Sequence, residues 1–123
     1  MLRTGVDLVG IDRVRRMAES GGRAFLDQTW TKAEQEYCGG DPARLAARWG
    51  AKEAVMKVLG AGFPDIEHVD IEVVSAEGVA PRLRLTGDAA QRAANLRLTE
   101  WSLSLSHELG LALAFVVAIG DPA

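Results

Sequence analysis

The sequence predicts an α+β fold, a single domain over residues 1–123 in which an antiparallel sheet packs against one long helix. Three observations predict it. The length of 123 residues, with 48% hydrophobic and 25% charged content, is that of one globular domain large enough to bury a core without disulfides. Residues 42–59 form an alanine-rich stretch, opened by Asp41-Pro42 and closed by Gly60, which are helix start and stop signals. Trp101, Leu103 and Leu105 alternate with Ser102, Ser104 and Ser106 before an apolar run over 109–119, the pattern of two paired strands.

The elements follow in order. Residues 5–11 (GVDLVGI) read as a buried strand interrupted by Asp7. Asp12 is placed to cap a helix with Val14, Met17 and Ala18 on one face and Arg13 and Arg16 on another, ended by Gly21-Gly22. Thr31-x-x-Glu34 has the spacing at which two side chains satisfy each other's orphan amides, which predicts a short helix to about Tyr37, stopped by Gly39-Gly40. The long helix over 42–59 comes next. Residues 69–74 alternate apolar and acidic side chains as a strand with one wet face, 82–85 alternate likewise, and Glu77-Gly78 turns between them. Residues 88–97 read as an alanine-rich helix, and Glu108-Leu109-Gly110 as the turn of the last hairpin.

Composition excludes several functions. A net charge of -3 argues against a general nucleic-acid binder, which needs clustered Lys and Arg. The longest uncharged apolar run, 109–120, is shorter than the roughly 20 residues of a membrane helix, and the amino end lacks a signal-peptide layout. The lone Cys38 reads as an inert free thiol in a reducing compartment, so the expected location is the cytoplasm. The charge is unevenly spread: residues 1–60 are net positive and 61–123 net negative. Arg13, Arg15, Arg16 and Arg23 face only Glu19 within their stretch, a basic patch suited to an acidic partner.

Three groups of residues carry candidate chemistry. Asp7 sits in a strand whose apolar neighbours lie on both faces, so its carboxylate needs a cation or donors; a structural salt bridge with an arginine and a metal or catalytic role both satisfy that need. Trp49, Glu53 and Lys57 share one helix face at i, i+4 and i+8, with Arg48 and Lys52 nearby. A solvated Glu-Lys pair explains that spacing, but Trp49 argues that the face is not simply bathed in water. His107 follows the serine strand, where Ser104 and Ser106 offer it a shared polar face; an exposed turn histidine is the plain alternative. Gly60-Ala-Gly62 resembles a phosphate loop only weakly, because capping alone explains its glycines.

Taken together, these stretches resemble the holo-acyl-carrier-protein synthase family, the short trimeric branch of the phosphopantetheinyl transferases. The resemblance rests on Gly5-Val-Asp7 with Arg13, on Thr31-x-x-Glu34, on residues 44–57 (RLAARWGAKEAVMK) with Gly60, on Asp70-Ile-Glu-Val73 and on Ser104-Leu-Ser-His-Glu108. It spans about residues 5–118 and is sharpest at Lys52-Glu53-Ala54 with Lys57. It implies the phosphopantetheinyl transferase fold and the transfer of 4'-phosphopantetheine from coenzyme A to a serine of an acyl carrier protein, with release of 3',5'-ADP. It implies that Asp7 and Glu53 bind magnesium as part of a catalytic set with Lys57, which meets the coenzyme A phosphates. Arg48, Gly60, Ser106 and His107 fall on the coenzyme A side. Arg13, Arg16 and Arg23 become the surface for an acidic carrier, and a homotrimer with sites between subunits is implied. One departure is Gly10, which stands where many members carry an acid. A non-catalytic module that binds coenzyme A or a carrier, and a purely structural assembly domain, are the rival readings.

Overall fold

A long central helix is wrapped by a sheet on one side and by shorter helices and a hairpin on the others. The structure, a computed structural model, describes residues 1–121; the last two residues of the expected 1–123 domain lie outside the described residues. In chain order the elements are β1 (Leu2–Gly10), α1 (Ile11–Thr29), α2 (Lys32–Cys38), α3 (Pro42–Leu59), a one-turn 3-10 helix (His68–Asp70), β2 (Ile71–Ala76), β3 (Val79–Leu85), α4 (Gly87–Asn95), β4 (Leu98–Glu108) and β5 (Leu111–Gly120). One antiparallel sheet has the order β1-β5-β4, and β2 and β3 form a separate antiparallel pair.

The local signals hold where they depend on neighbouring residues. At α2, Thr31 Oγ1 accepts from the Glu34 amide and Glu34 Oε1 accepts from the Thr31 amide, a reciprocal cap. At α3, Asp41 caps, Pro42 opens, and Gly60 ends the helix in the left-handed region. The last hairpin turns through Leu109 and Gly110, both at positive φ, as a two-residue turn matching strand twist requires.

Several boundaries differ from expectation. Gly10, not Asp12, precedes the first helical residue, and no side chain caps α1; Asp12 instead takes Arg15 and Arg16. Gly21-Gly22 bends α1 rather than ending it. Gly22, at φ 62°, kinks the chain, and a second helical segment runs on to Thr29. That segment carries the half-buried Phe25, whose ring meets the buried Trp30 edge-on at 5.7 Å, so packing of these two rings restarts the helix beyond the glycines. β2 starts at Ile71 because residues 68–70 take the 3-10 turn.

The largest difference lies in β1. It was expected to be buried on both faces, yet in this chain only one is covered: Val6 and Leu8 are 49% and 63% exposed. Gly5, Asp7 and Val9, on the other face, meet α3. The two elements approach so closely that a Cβ on Gly5 would stand 2.0 Å from the Ala54 carbonyl oxygen, and one on Gly50 would stand 3.2 Å from Val9 Cγ2. With Ala46, Ala47, Ala51 and Ala54 also buried, α3 is held close to the sheet by small side chains.

A second core unit is polar. Lys52 Nζ donates to Glu34 Oε1 at 2.7 Å and to the carbonyls of His68 and Ile71, while Glu34 Oε2 accepts from the Val73 amide. This network ties α2, α3 and β2 together. Among the described residues no helix is long and apolar enough to cross a membrane.

Candidate active site

The close approach of β1 and α3 sets Asp7 beside the residues that α3 presents. Asp7 stands two positions after Gly5 on the strand face toward the helix, and Trp49, Glu53 and Lys57 rise along one helix face one turn apart. Lys57 Nζ donates to the Val6 carbonyl at 2.7 Å and to Asp7 Oδ1 at 3.3 Å. Burial pushes the Asp7 carboxyl above its ordinary range, against the pull of Lys57, and the Glu53 charge adds to that rise. The two acids, from opposite parts of the amino half, therefore lie within electrostatic reach of each other.

Glu53 has a partner that spacing does not announce. His68 Nε2 lies 2.9 Å from Glu53 Oε2, and this hydrogen bond, ahead of the opposing effect of burial, holds the Glu53 carboxyl below its ordinary range. The imidazole stacks on Trp49 at 4.6 Å with an interplanar angle of 15°, and Phe63 lies on it at 5.8 Å. These groups line a cleft of about 600 Å³ bounded by Trp49, Glu53, Met56, Lys57, Phe63, His68 and the 60–62 segment. Sequence reasoning missed His68: it lies two positions before the Asp70-Ile-Glu-Val73 motif, and its link to Glu53 exists only across the fold. Arg13 also belongs near the site, since its charge lowers both acids.

Of the remaining candidates only Gly60 borders the cleft among the described residues. Its amide is committed to the carbonyls of Met56 and Lys57, and the Ala61 amide also bonds Met56, so these two amides end the helix. Arg48 is buried, bonded to Ser75 Oγ at 2.9 Å and laid over the Tyr37 ring; its Nε has no hydrogen-bond partner among the described residues. Ser106 and His107 are exposed at the end of β4 and do not line the cleft. The polar face expected there is split by strand alternation, with Ser104 and Ser106 on one side and His107 on the side of Leu103 and Leu105.

The basic helix is less free than its sequence stretch suggested. Arg15 bonds Asp12 and Glu19, Arg16 lies 3.5 Å from Asp12, and Arg23 bonds Gln35 and reaches Asp27. Asp12 and Asp27 thus join Glu19 against the arginines, although Arg16 and Arg23 remain exposed.

The two carboxylates suit a hard cation. Among the described residues no group of three or more His, Cys, Asp or Glu gathers to hold a metal unaided. A pair of acids beside a lysine leaves the rest of a coordination shell to water and phosphate oxygens, which is how magnesium is commonly bound.

Comparison with known proteins gives the family and the fold. The profile of the 4'-phosphopantetheinyl transferase superfamily matches residues 3–114. A holo-[acyl-carrier-protein] synthase of Herpetosiphon aurantiacus is 45% identical, over 98% of this chain and 100% of that protein. The crystal structure of Helicobacter pylori holo-[acyl-carrier-protein] synthase in complex with coenzyme A superposes with a TM-score of 0.84 at 26% identity, covering 94% of this chain and 99% of that one. The acyl carrier protein synthase of Mycobacterium tuberculosis is 34% identical, with a TM-score of 0.73 and 97% of each chain covered.

Proposed function

The chain belongs to the 4'-phosphopantetheinyl transferase superfamily, and we propose that it acts as a holo-[acyl-carrier-protein] synthase through Asp7, Glu53 and Lys57 at the edge of the cleft. The reaction moves 4'-phosphopantetheine from coenzyme A to a serine of an apo acyl carrier protein and releases 3',5'-ADP. The observation that carries the site assignment is the meeting of Asp7 on β1 with Glu53 and Lys57 on α3.

Each residue has a physical task. Asp7 and Glu53 offer the carboxylate oxygens for magnesium, and the ion, when bound, neutralises charge on the coenzyme A diphosphate. Lys57, already aimed at Asp7, adds positive charge where the leaving 3',5'-ADP gains negative charge. The serine oxygen forms a bond to the phosphorus nearest pantetheine as the bond to the bridging diphosphate oxygen breaks, and the hydroxyl proton passes to Glu53, to a water on the ion or to a water held by Asp7. Trp49 and Phe63 give the cleft an apolar wall that limits water.

The site is proposed to be completed by other copies of the chain. Across β1 and β5, Leu2 faces Ile119, Val6 faces Phe115 and Leu8 faces Leu113, and all six side chains are exposed on one sheet face. So continuous an apolar face marks an interface, and it supports a homotrimer in which Ser106 and His107 reach a neighbour's cleft. The strand at 71–76 is not needed for it, because Ile71 and Val73 are buried within their own chain.

Incubation with coenzyme A, magnesium and an apo carrier tests the reading: the carrier gains about 340 Da, as metal-assisted phosphoryl transfer of this group requires. Asp7→Ala and Glu53→Ala each abolish the gain while circular dichroism stays native. An unchanged gain in either variant removes the site assignment, and coenzyme A binding without any gain by the wild type indicates a binding module instead.

A further inference from the structure

His68 is held more firmly than a space-filling residue requires. Its ring is stacked on Trp49, one helical turn before Glu53, and covered by Phe63. Its carbonyl accepts from Lys52, the neighbour of Glu53 along α3, at 3.1 Å. Ring and backbone are therefore both anchored to the helix that carries Glu53. An ionised carboxylate only accepts hydrogen bonds, so the 2.9 Å contact to Glu53 Oε2 requires a proton on His68 Nε2.

We propose that His68 is the positioning residue of the site: its Nε2–H holds Glu53 Oε2 and leaves Oε1 as the oxygen offered to the divalent cation. The inference rests on the reading of Glu53 as a metal ligand. A glutamate side chain has several rotatable bonds, and fixing it before the cation arrives removes an ordering cost from binding. Outer-shell partners of metal-binding carboxylates act in this way elsewhere. Trp49 and Phe63 set the plane of the imidazole, and Lys52 sets its depth, so the orientation of Glu53 is built by three residues that are not themselves metal ligands.

The test measures Mn2+ binding to the full chain in the presence of 3',5'-ADP, by the loss of the free-ion electron paramagnetic resonance signal. Wild type, His68→Phe, His68→Gln and Glu53→Gln are compared. Phenylalanine keeps the stacking and loses the donor, so His68→Phe is expected to bind Mn2+ about 10-fold more weakly. Glutamine restores an N–H donor, so His68→Gln regains most of the affinity despite losing the ring. A purely structural role predicts the reverse order. Wild-type affinity in His68→Phe, with Glu53→Gln impaired, overturns the positioning role alone. Wild-type affinity in Glu53→Gln overturns the metal-ligand reading beneath it. Should His68→Phe fail to fold, the imidazole 15N spectrum of the wild type decides: a protonated Nε2 is expected, and an unprotonated Nε2 overturns the inference.

Discussion

Lys52 Nζ lies 2.7 Å from Glu34 Oε1, and neither side chain has any solvent exposure. Burial lowers the lysine pKa while Glu34 opposes that shift, so the charged form depends on its partner. Every remaining donor of the ammonium is taken by a carbonyl, and the two carboxylate oxygens accept from the Thr31 and Val73 amides. Lys52→Met is expected to destabilise the fold by about 3–5 kcal/mol, because it strands a buried carboxylate. Adding Glu34→Gln removes that charge and recovers part of the loss. Urea unfolding of both variants checks this, and a fully stable Lys52→Met contradicts it.

Gly5 connects packing to chemistry. A methyl group there would stand 2.0 Å from the Ala54 carbonyl oxygen, so β1 and α3 must separate. Gly5→Ala is expected to cost about 1–3 kcal/mol of stability. It should also lower kcat/KM about 100-fold, because a displacement of about 1 Å moves Asp7 away from Glu53 and Lys57. Thermal melts and the carrier mass assay measure the two effects separately.

Burial raises the Cys38 thiol to about 11, the residue being only 2% exposed. A thiol whose folded pKa lies above its unfolded value binds its proton more tightly when folded, so its stabilising contribution is full below the unfolded pKa and is lost as pH rises toward the folded one. Stability should fall between about pH 9 and pH 11, by on the order of 2 kcal/mol from this group. Cys38→Ala removes that component of the slope, as urea titrations across this window will show.

Arg16 is exposed, with a 3.5 Å contact to Asp12 among the described residues, so its field reaches solvent. Arg16→Glu is expected to raise the KM for an acidic carrier about 10-fold at low ionic strength and to flatten its salt dependence. Wild-type kinetics that do not change between low and roughly 300 mM salt argue against steering.

Phe115 stands in the centre of the exposed face of β1 and β5, opposite Val6. If the proposed trimer forms through this face, Phe115→Asp is expected to give single chains of 13.2 kDa and to lower transfer. Sedimentation reads the mass directly, and wild-type protein at the single-chain mass removes the trimer.

The sequence by itself determined the class of fold and the helices with local caps, α2 and α3, although not the extent of α1. Thr31 and Glu34 cap one another three residues apart, Asp41, Pro42 and Gly60 bound α3, and Trp49, Glu53 and Lys57 share a face by helical period alone. Asp7 was legible as a carboxylate in need of a partner, although local pattern did not identify the partner. Only the tertiary structure decided that Lys57 meets Asp7, that His68 holds Glu53, that Lys52 turns inward to Glu34 and that one face of β1 stays bare. Those contacts are made between residues distant along the chain, and their energy comes from packing α3 against the sheet and from pairing the charges that this packing takes out of water. No local period encodes which side chains such packing brings together.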